Sequence, residues 1–527
     1  MQESLLLFVL LSAVVGIAVV AKRFAIPYPI AFVVGGSLLA FVPHLPRFEL
    51  SPDWVFLIIL PPLLYAGGWS TDWQMFKTYL RPIMFLSIGL VVFTTGFVAI
   101  AAHALLPLLG WAAAFALGAI VSPPDAVAAG SVFERFTVPR RIVTILDGEG
   151  LVNDGTALVI YQFAIVAAVT GSFSPAKAGL AFIVVSVGGV AVGVLLGWVT
   201  VALYTQLHRA ELSDYLIDNV IQLLAPYAIY LSADLVHVSG VLATAAAGVY
   251  VSRKSSAIYE PEGRLVAYSV WDILIFLLNG LVFLLIGLEL RTIVSSPQFV
   301  VRDLWVGAAI TALVIVLRFA WVYPSTYLPR RMFKSIRERE TRPGWNYVFI
   351  VAWSGMRGIV SLAAALALPR TLGNGQPFPG RSEIILITLC VIFGTLVFQG
   401  LSLIPLLRWL RIEDTEDLER RELEVRIAAL RAGIERLRRL EPEFTSTEEW
   451  EVEGRLLGEY DYRIAHLLGH VDGKVEGGAV ALDHRLQQEA LEAERREVLR
   501  MREAGEIPDA VFRKIEYDLD LANERLR

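Results

Sequence analysis

Long apolar runs separated by short polar loops fill the chain as far as residue 410. A helix needs about 20 apolar residues to cross the hydrocarbon core of a membrane. On this criterion we predict about thirteen spans, near 4–21, 28–43, 54–68, 82–103, 109–130, 142–168, 178–204, 215–233, 238–252, 268–290, 304–327, 346–368 and 383–407. The pattern therefore predicts an all-α polytopic membrane protein.

Beyond residue 410 the pattern changes to charged segments with amphipathic helical spacing. Leucine and isoleucine recur at intervals of three and four, at Leu423, Ile427, Leu430, Ile434 and Leu437, as expected of one apolar helix face. We predict a transmembrane domain over 1–410. A helical cytoplasmic domain is predicted over 411–527.

The basic residues set the orientation of the spans. Lys and Arg concentrate in alternate loops, such as Lys22–Arg23, Arg140–Arg141 and 330–342, and loops rich in Lys and Arg stay in the cytoplasm. We therefore predict a multi-pass protein of the cell (inner) membrane, with its N-terminus outside and its C-terminus cytoplasmic. An odd number of spans fits two inverted repeats joined by one extra helix.

Composition narrows the class further. The 527 residues are 56 % hydrophobic and only 18 % charged, whereas a soluble protein carries about a quarter charged residues. The single cysteine, Cys390, excludes a disulfide framework and a cysteine-based metal site. We expect no cofactor, no resident metal and no nucleic-acid partner. Membrane lipid is the surrounding partner.

The fifth span carries a break at its centre, Ser122-Pro123-Pro124-Asp125. Two prolines remove two backbone donors and clash with the preceding turn. Broken helices at membrane depth line cavities and supply ion ligands. We predict that Asp125 binds an ion there. The alternative is that Asp125 only caps the second half-helix.

The sixth span holds Asp147, Glu149, Asn153 and Asp154. Asp147 and Asp154 are seven residues apart and so share one helix face, while Glu149 points elsewhere. Charged residues inside a membrane are costly and mark ion pathways. We predict that Asp154 and Asn153 bind the ion and that Asp147 lies at the cytoplasmic entrance. The alternative for Asp154 is an acid that is hydrogen-bonded in helix packing.

The twelfth span places Arg357 between Gly355 and Gly358. The glycines allow a second helix break and a close approach of neighbouring backbone. A buried arginine needs an anionic partner, and Glu149 is the natural candidate. We therefore predict a structural ion pair between Glu149 and Arg357. Asp125 and Asp154 then remain as acids that hold either a proton or a hard cation, which is the chemistry of exchange.

Four stretches resemble the sodium/proton exchangers of the monovalent cation:proton antiporter-1 family, in its bacterial form. They are GAIVSPPDAVAA, ILDGEGLVNDGTALVIYQFA, FLLNGLVFLLIGLEL and AWSGMRGIVSLAAALALP. The resemblance implies a secondary transporter rather than an enzyme. It also implies thirteen helices, divided into dimerisation helices and core helices near 82–168 and 304–407. A homodimer and an elevator-like motion of the core helices are implied as well.

By position, Asp154 resembles the family's transport carboxylate and Asn153 its asparagine neighbour, a pair associated with electroneutral one-for-one exchange. Asp125 corresponds to the acid of the broken fifth helix, and Glu149 with Arg357 to a buried ion pair. The chain departs from the family pattern at two positions. Pro124 stands where a threonine is usual, and Gly150 stands where a serine is common.

The favoured function is exchange of Na⁺, or Li⁺ or K⁺, for protons in pH homeostasis, with cation and proton competing at Asp154. The alternatives are a K⁺/H⁺ exchanger, a cation channel with a ring of buried acids, and an intramembrane hydrolase that uses Asp125 and Asp154. Conductance measurements separate the channel from the exchanger. The hydrolase would need a water-filled peptide cleft that the sequence does not reveal.

Overall fold

The computed structural model describes most of the chain: residues 2–42, 52–107, 109–133, 135–136, 138–171, 174–212, 214–255, 261–294, 301–339, 342–372, 375–412, 418–441, 446–472, 477–504, 506 and 509–525. It forms two compact units, 1–414 and 415–527. Within the described ranges the secondary structure is helical, apart from one isolated bridge between Thr371 and Pro377. The all-α prediction is confirmed. Residue 43, the end of the second predicted span, lies outside the described residues.

The helices of the first unit begin and end as follows: α1 Gln2–Arg23, α2 Tyr28–Ala40, α3 Pro52–Ser70, α4 Trp73–Thr78, α5 Leu80–Leu105, α6 Trp111–Val121, α7 Ala126–Phe133, α8 Arg140–Thr170, α9 Pro175–Arg209, α10 Tyr215–Leu235, α11 Gly240–Ser252, α12 Pro261–Val294, α13 Val301–Met332, α14 Lys334–Arg339, α15 Trp345–Trp353, α16 Ile359–Leu366 and α17 Arg381–Leu410. Single π-helical turns interrupt α3, α5 and α17, at Val55–Ile59, Phe85–Leu90 and Gly394–Gln399.

The second unit consists of four described helices, α18 Leu418–Leu440, α19 Thr447–Asp472, α20 Gly477–Glu503 and α21 Asp509–Arg525. α18 packs against α19, and α20 packs against α21. The predicted helical character of the tail is therefore present in the described part of 415–527. Its cytoplasmic location stays a prediction.

Nine helices of the described part are long and apolar enough to cross a membrane, counting α6 and α7 as one broken segment. Two shorter apolar helices, α2 and α11, add to them. Large apolar side chains are exposed along α9, for example Leu180, Val187 and Trp198, as lipid-facing surfaces require. The chain is a multi-pass membrane protein, while the count of thirteen spans and the inverted repeats stay predictions.

The first unit contains two groups of packed helices. In one group α2 packs along α12, and α11 packs against α3, α9 and α10. In the other group α5, α6, α8, α13, α15, α16 and α17 pack on one another. The second group contains both broken spans, α6–α7 and α15–α16. The assignment of helices to a core and to a dimerisation group stays a prediction.

Candidate functional site

The first broken span stops being helical at the two prolines. α6 ends at Val121, residues Ser122–Asp125 are not helical, and α7 begins at Ala126. Since neither Pro123 nor Pro124 can donate a backbone hydrogen bond, the carbonyl groups before them lose their helical partners. The break predicted from the Pro–Pro pair is confirmed.

The second broken span opens at the Gly–Arg–Gly segment. α15 ends at Trp353, and α16 begins at Ile359 with Gly358 as its N-cap residue. The two breaks touch, because the backbone N–H of Asp125 donates to the carbonyl oxygen of Met356 at 2.6 Å. A Cβ atom at Gly358 would collide with the Asp125 carboxylate. The glycine thus allows the acid of one span to lie against the backbone of the other.

Asp125 is held at the start of α7. Its Oδ1 accepts a hydrogen bond from the backbone N–H of Val127 at 2.9 Å, which is the geometry of a helix cap. The capping of the second half-helix by Asp125, which the alternative predicts, is therefore present. The same carboxylate also lines a cavity, so that capping and ion binding are compatible.

Asn153 and Asp154 approach the first break from α8. Asn153 is fully buried, and its Nδ2 donates to the carbonyl oxygen of Pro124 at 2.9 Å. Its Oδ1 has no hydrogen-bond partner among the described residues. Asp154 and Asp125 line the same cavity. The structure thus brings together the three residues predicted to bind the ion.

A cavity of about 850 Å³ contains these acids. Its walls include residues of α3, α7, α8, α12 and α16. Asp147 also lines it, with an exposed side chain, two helical turns from Asp154 on the side of Arg140. Asp272 of α12, for which the sequence predicted no role, lines the cavity from the other group of helices. Four aspartates therefore line this cavity: Asp125, Asp147, Asp154 and Asp272.

The sequence predicted Arg357 as the ion-pair partner of Glu149, and this choice of arginine is wrong. Glu149 instead accepts two hydrogen bonds from Arg318 of α13, at 2.6 Å from Nη1 and 2.8 Å from Nη2. Both side chains are 1 % exposed. Arg318 also donates to the carbonyl oxygen of Val351 at 3.1 and 3.2 Å, near the end of α15. The bidentate pair and the carbonyl together satisfy a cation that is removed from water.

Arg357 instead donates to carbonyl oxygens at the C-terminal end of α6, the first half of the other broken span. Its Nε donates to the carbonyl oxygen of Val121 at 3.0 Å, and its Nη2 to that of Ser122 at 3.3 Å. Its Nη1 donates to the carbonyl oxygen of Gly355. Arg357 has these partners because the proline break leaves the carbonyl oxygens of Val121 and Ser122 without helical partners. Glu149 pairs with Arg318 because α13 brings that arginine alongside it.

Both departures from the family pattern have a structural counterpart. The carbonyl oxygen of Pro124 accepts from Asn153, and a Cβ atom at Gly150 would lie 2.5 Å from the Cβ atom of Ala126. Ala126 therefore occupies the space that a side chain at position 150 would need.

Comparisons with known proteins identify similar chains. The family profile described as "Sodium/hydrogen exchanger, transmembrane" matches residues 9–409. The chain is 30 % identical to the uncharacterized Na⁺/H⁺ exchanger YjcE of Escherichia coli, over 98 % of this chain and 97 % of that protein. It is 34 % identical to the sodium, potassium, lithium and rubidium/H⁺ antiporter of Bacillus subtilis, over 76 % of this chain and 61 % of that protein.

A solved structure shares the fold. The sodium proton antiporter MjNhaP1 from Methanocaldococcus jannaschii at pH 8 superposes with a TM-score of 0.58, over 78 % of this chain and 100 % of that chain. The sequence identity is 16 %, so that this likeness concerns the fold alone.

Proposed function

We propose, from the premise that this chain belongs to the sodium/hydrogen exchanger family and is a secondary transporter rather than an enzyme, that it exchanges Na⁺ for H⁺ one for one across the cell membrane. The observation that carries the proposal is the crossing of two broken spans. Asp125 at this crossing lines the same cavity as Asp154 of α8, and Asn153 connects α8 to the first break through its hydrogen bond to Pro124.

The oxygen atoms at this crossing suit a hard monovalent cation. Such ions prefer carboxylate and carbonyl oxygen ligands. Asp125 and Asp154 supply carboxylates, and Asn153 supplies an Oδ1 that no described residue binds. A carboxylate oxygen that is protonated cannot also coordinate a cation, so that each ion displaces the other at Asp154.

The charge balance supports a one-for-one ratio. The Glu149 charge is offset by Arg318, whereas the described hydrogen bonds of the Arg357 side chain go to carbonyl oxygens. Arginine stays protonated at any relevant pH. Asp125, Asp154 and Arg357 therefore leave one net negative charge, which either one proton or one monovalent cation neutralises.

Alternating exposure of this site completes the cycle. The cavity gives access from the side on which Asp147 lies, and we assign that side to the cytoplasm from the distribution of Lys and Arg in the loops. Binding of either ion neutralises the site and so lowers the cost of moving it across the membrane. The core group of helices is the moving part in this scheme, within a homodimer.

A second candidate is K⁺/H⁺ exchange. The Bacillus subtilis relative is named as an antiporter of sodium, potassium, lithium and rubidium. This chain also lacks side-chain hydroxyl groups at Pro124 and Gly150, which changes the oxygen atoms available to the cation. The response to each ion decides between the two candidates.

The test is exchange by the purified full chain in proteoliposomes with an imposed pH gradient, read by a dye that senses the gradient. Na⁺, Li⁺ and K⁺ are added in turn, with and without valinomycin in matched K⁺. We expect cation-driven proton movement in the wild type, and its loss in Asp154→Asn. A wild-type protein without such movement, an undiminished signal in Asp154→Asn, or a cation conductance without proton coupling would contradict the proposal.

A further inference from the structure

Ser361 is a buried hydroxyl group that the scheme above leaves unused. It lies in α16, three residues after Gly358, and is 2 % exposed. Its Oγ has no hydrogen-bond partner among the described residues. A buried hydroxyl without a partner costs free energy, so that its presence calls for a ligand or an ordered water.

The place of Ser361 relates it to the ion site. Gly358 lies against the Asp125 carboxylate, and residues three apart at the start of a helix lie on one face, about 4.5 Å apart along the axis. Ser361 lines the same cavity as Asp125 and Asp154. Its hydroxyl group therefore belongs to the wall that the second broken span contributes.

In the described part of the chain, the opposite wall offers no unpartnered side-chain hydroxyl beside the break, since the Oγ of Ser131 in α7 donates to the carbonyl oxygen of Ala128 at 2.9 Å. Pro124 has no hydroxyl group, and the space beside Gly150 is occupied by the Cβ atom of Ala126. The carbonyl oxygen of Pro124 already accepts a hydrogen bond from Asn153. Besides the Oδ1 of Asn153, an unpartnered neutral oxygen at this cavity comes from α16, where Ser361 offers its hydroxyl group.

We propose that the Ser361 hydroxyl oxygen is a ligand of the transported alkali cation, completing a shell with Asp125, Asp154 and the Oδ1 of Asn153. The proposal rests on the proposed function. In the cation-bound state the oxygen faces the cation. In the protonated state the hydroxyl group hydrogen-bonds within the carboxyl cluster.

A matched control distinguishes coordination from packing. Ser354 lies in the same broken span and is 1 % exposed. Its Oγ donates to the carbonyl oxygen of Ile350 at 2.7 Å, and so it is already satisfied. Removing its hydroxyl group perturbs the buried second break without removing an oxygen from the cavity.

The experiment compares wild type, Ser361→Ala, Ser361→Thr and Ser354→Ala as full chains. Two quantities are measured: the KM and maximal rate of Na⁺-driven, Li⁺-driven and K⁺-driven exchange in proteoliposomes, and the rise in unfolding temperature that added Na⁺ causes in detergent. The second quantity reports cation binding without transport.

We expect Ser361→Ala to raise the KM for Na⁺ about tenfold, the effect of losing one ligand to a charged group. It should also reduce the Na⁺-induced thermal shift and change the ratio of KM values among the three ions. Ser361→Thr, which keeps the hydroxyl, and Ser354→Ala should stay within about threefold of wild type.

Equal KM values and thermal shifts in Ser361→Ala and Ser354→Ala would overturn the assignment. So would a Ser361→Thr variant as weak as Ser361→Ala, or a loss of maximal rate that is the same for all three ions. These outcomes leave wild-type exchange intact. A failure of the proposed function is distinguishable, because it would appear as an absence of exchange in the wild type itself.

Discussion

Each of the two broken spans has a buried arginine at its break, but the two arginines have different partners. In each, an arginine donates to carbonyl oxygens near the end of the first half-helix: Arg357 to Val121 and Ser122, and Arg318 to Val351. Positive charge at that end also opposes the helix dipole. Arg318 also pairs with the carboxylate of Glu149. The hydrogen bonds of the Arg357 side chain to described residues go to backbone carbonyl oxygens.

This difference gives the two arginines different roles, one structural and one electrostatic. The Arg318–Glu149 pair is neutral and fastens α8 to α13 and α15, so that it contributes no net charge to the cavity. Arg357 keeps its charge at the first break, where its side chain donates to the carbonyl oxygens of Val121 and Ser122. In the proposed scheme this cation, which is solvated by carbonyl dipoles, offsets the charge of one of the two acids.

The largest effect is expected from Asp125→Asn, which removes an anion from the site and leaves Arg357 and Asp154 to cancel. A cation then has no net negative charge to bind, and we expect exchange to fall about a hundredfold or more. Proteoliposome exchange measures it. Asp214→Asn is the control, since Asp214 caps α10 and Asn caps equally well. An Asp125→Asn protein that exchanges at the wild-type rate would remove Asp125 from the site.

A large effect on stability is expected at the other arginine. Removing one partner of a buried ion pair costs about 3–5 kcal/mol, while replacing both by apolar residues costs much less. We therefore expect Arg318→Met and Glu149→Leu each to lower the unfolding temperature in detergent, and the double variant to recover much of the loss. Additive losses in the double variant would contradict the pairing. Recovery when Glu149→Leu is combined with Arg357→Met, in place of Arg318→Met, would restore the pairing that the sequence suggested.

A smaller effect is expected where the two breaks touch. Gly358→Ala adds a Cβ atom that collides with the Asp125 carboxylate, and overpacking of this kind costs about 1–3 kcal/mol. We expect the KM for the cation to rise roughly tenfold. Gly96→Ala in α5 is the matched control, because no described atom lies within 4 Å of the added methyl. Equal KM values in the two variants would show that the contact is immaterial to cation binding.

The sequence revealed those features that are fixed by covalent structure and by depth in the membrane. Pro123 and Pro124 break a helix in any surroundings, and buried acids at Asp125 and Asp154 stand out in apolar runs. The first helix break and the acids beside it and on α8 could therefore be located without coordinates, while their role in ion binding stays a prediction.

Partner choice could not be predicted in this way. Arg318 stands in an apolar run just as Arg357 does, and only the packing of α13 decides which of them reaches Glu149. Both arginines carried the signal of a buried charge that needs a partner, but spacing along the chain says nothing about distances between helices. Ser361 carried no signal, since a serine among small apolar residues is ordinary in a membrane helix.

Competition between one proton and one cation at a single site is the central claim, and proton release on binding tests it most directly. Na⁺ is added to detergent-solubilised, weakly buffered wild-type protein near the midpoint of the pH dependence of binding, with a pH indicator and calorimetry to count bound cations. We predict up to one proton released for each cation bound, approaching one as pH falls, and neither binding nor release in Asp154→Asn. Cation binding without proton release at every pH, or release of two protons, would contradict the account.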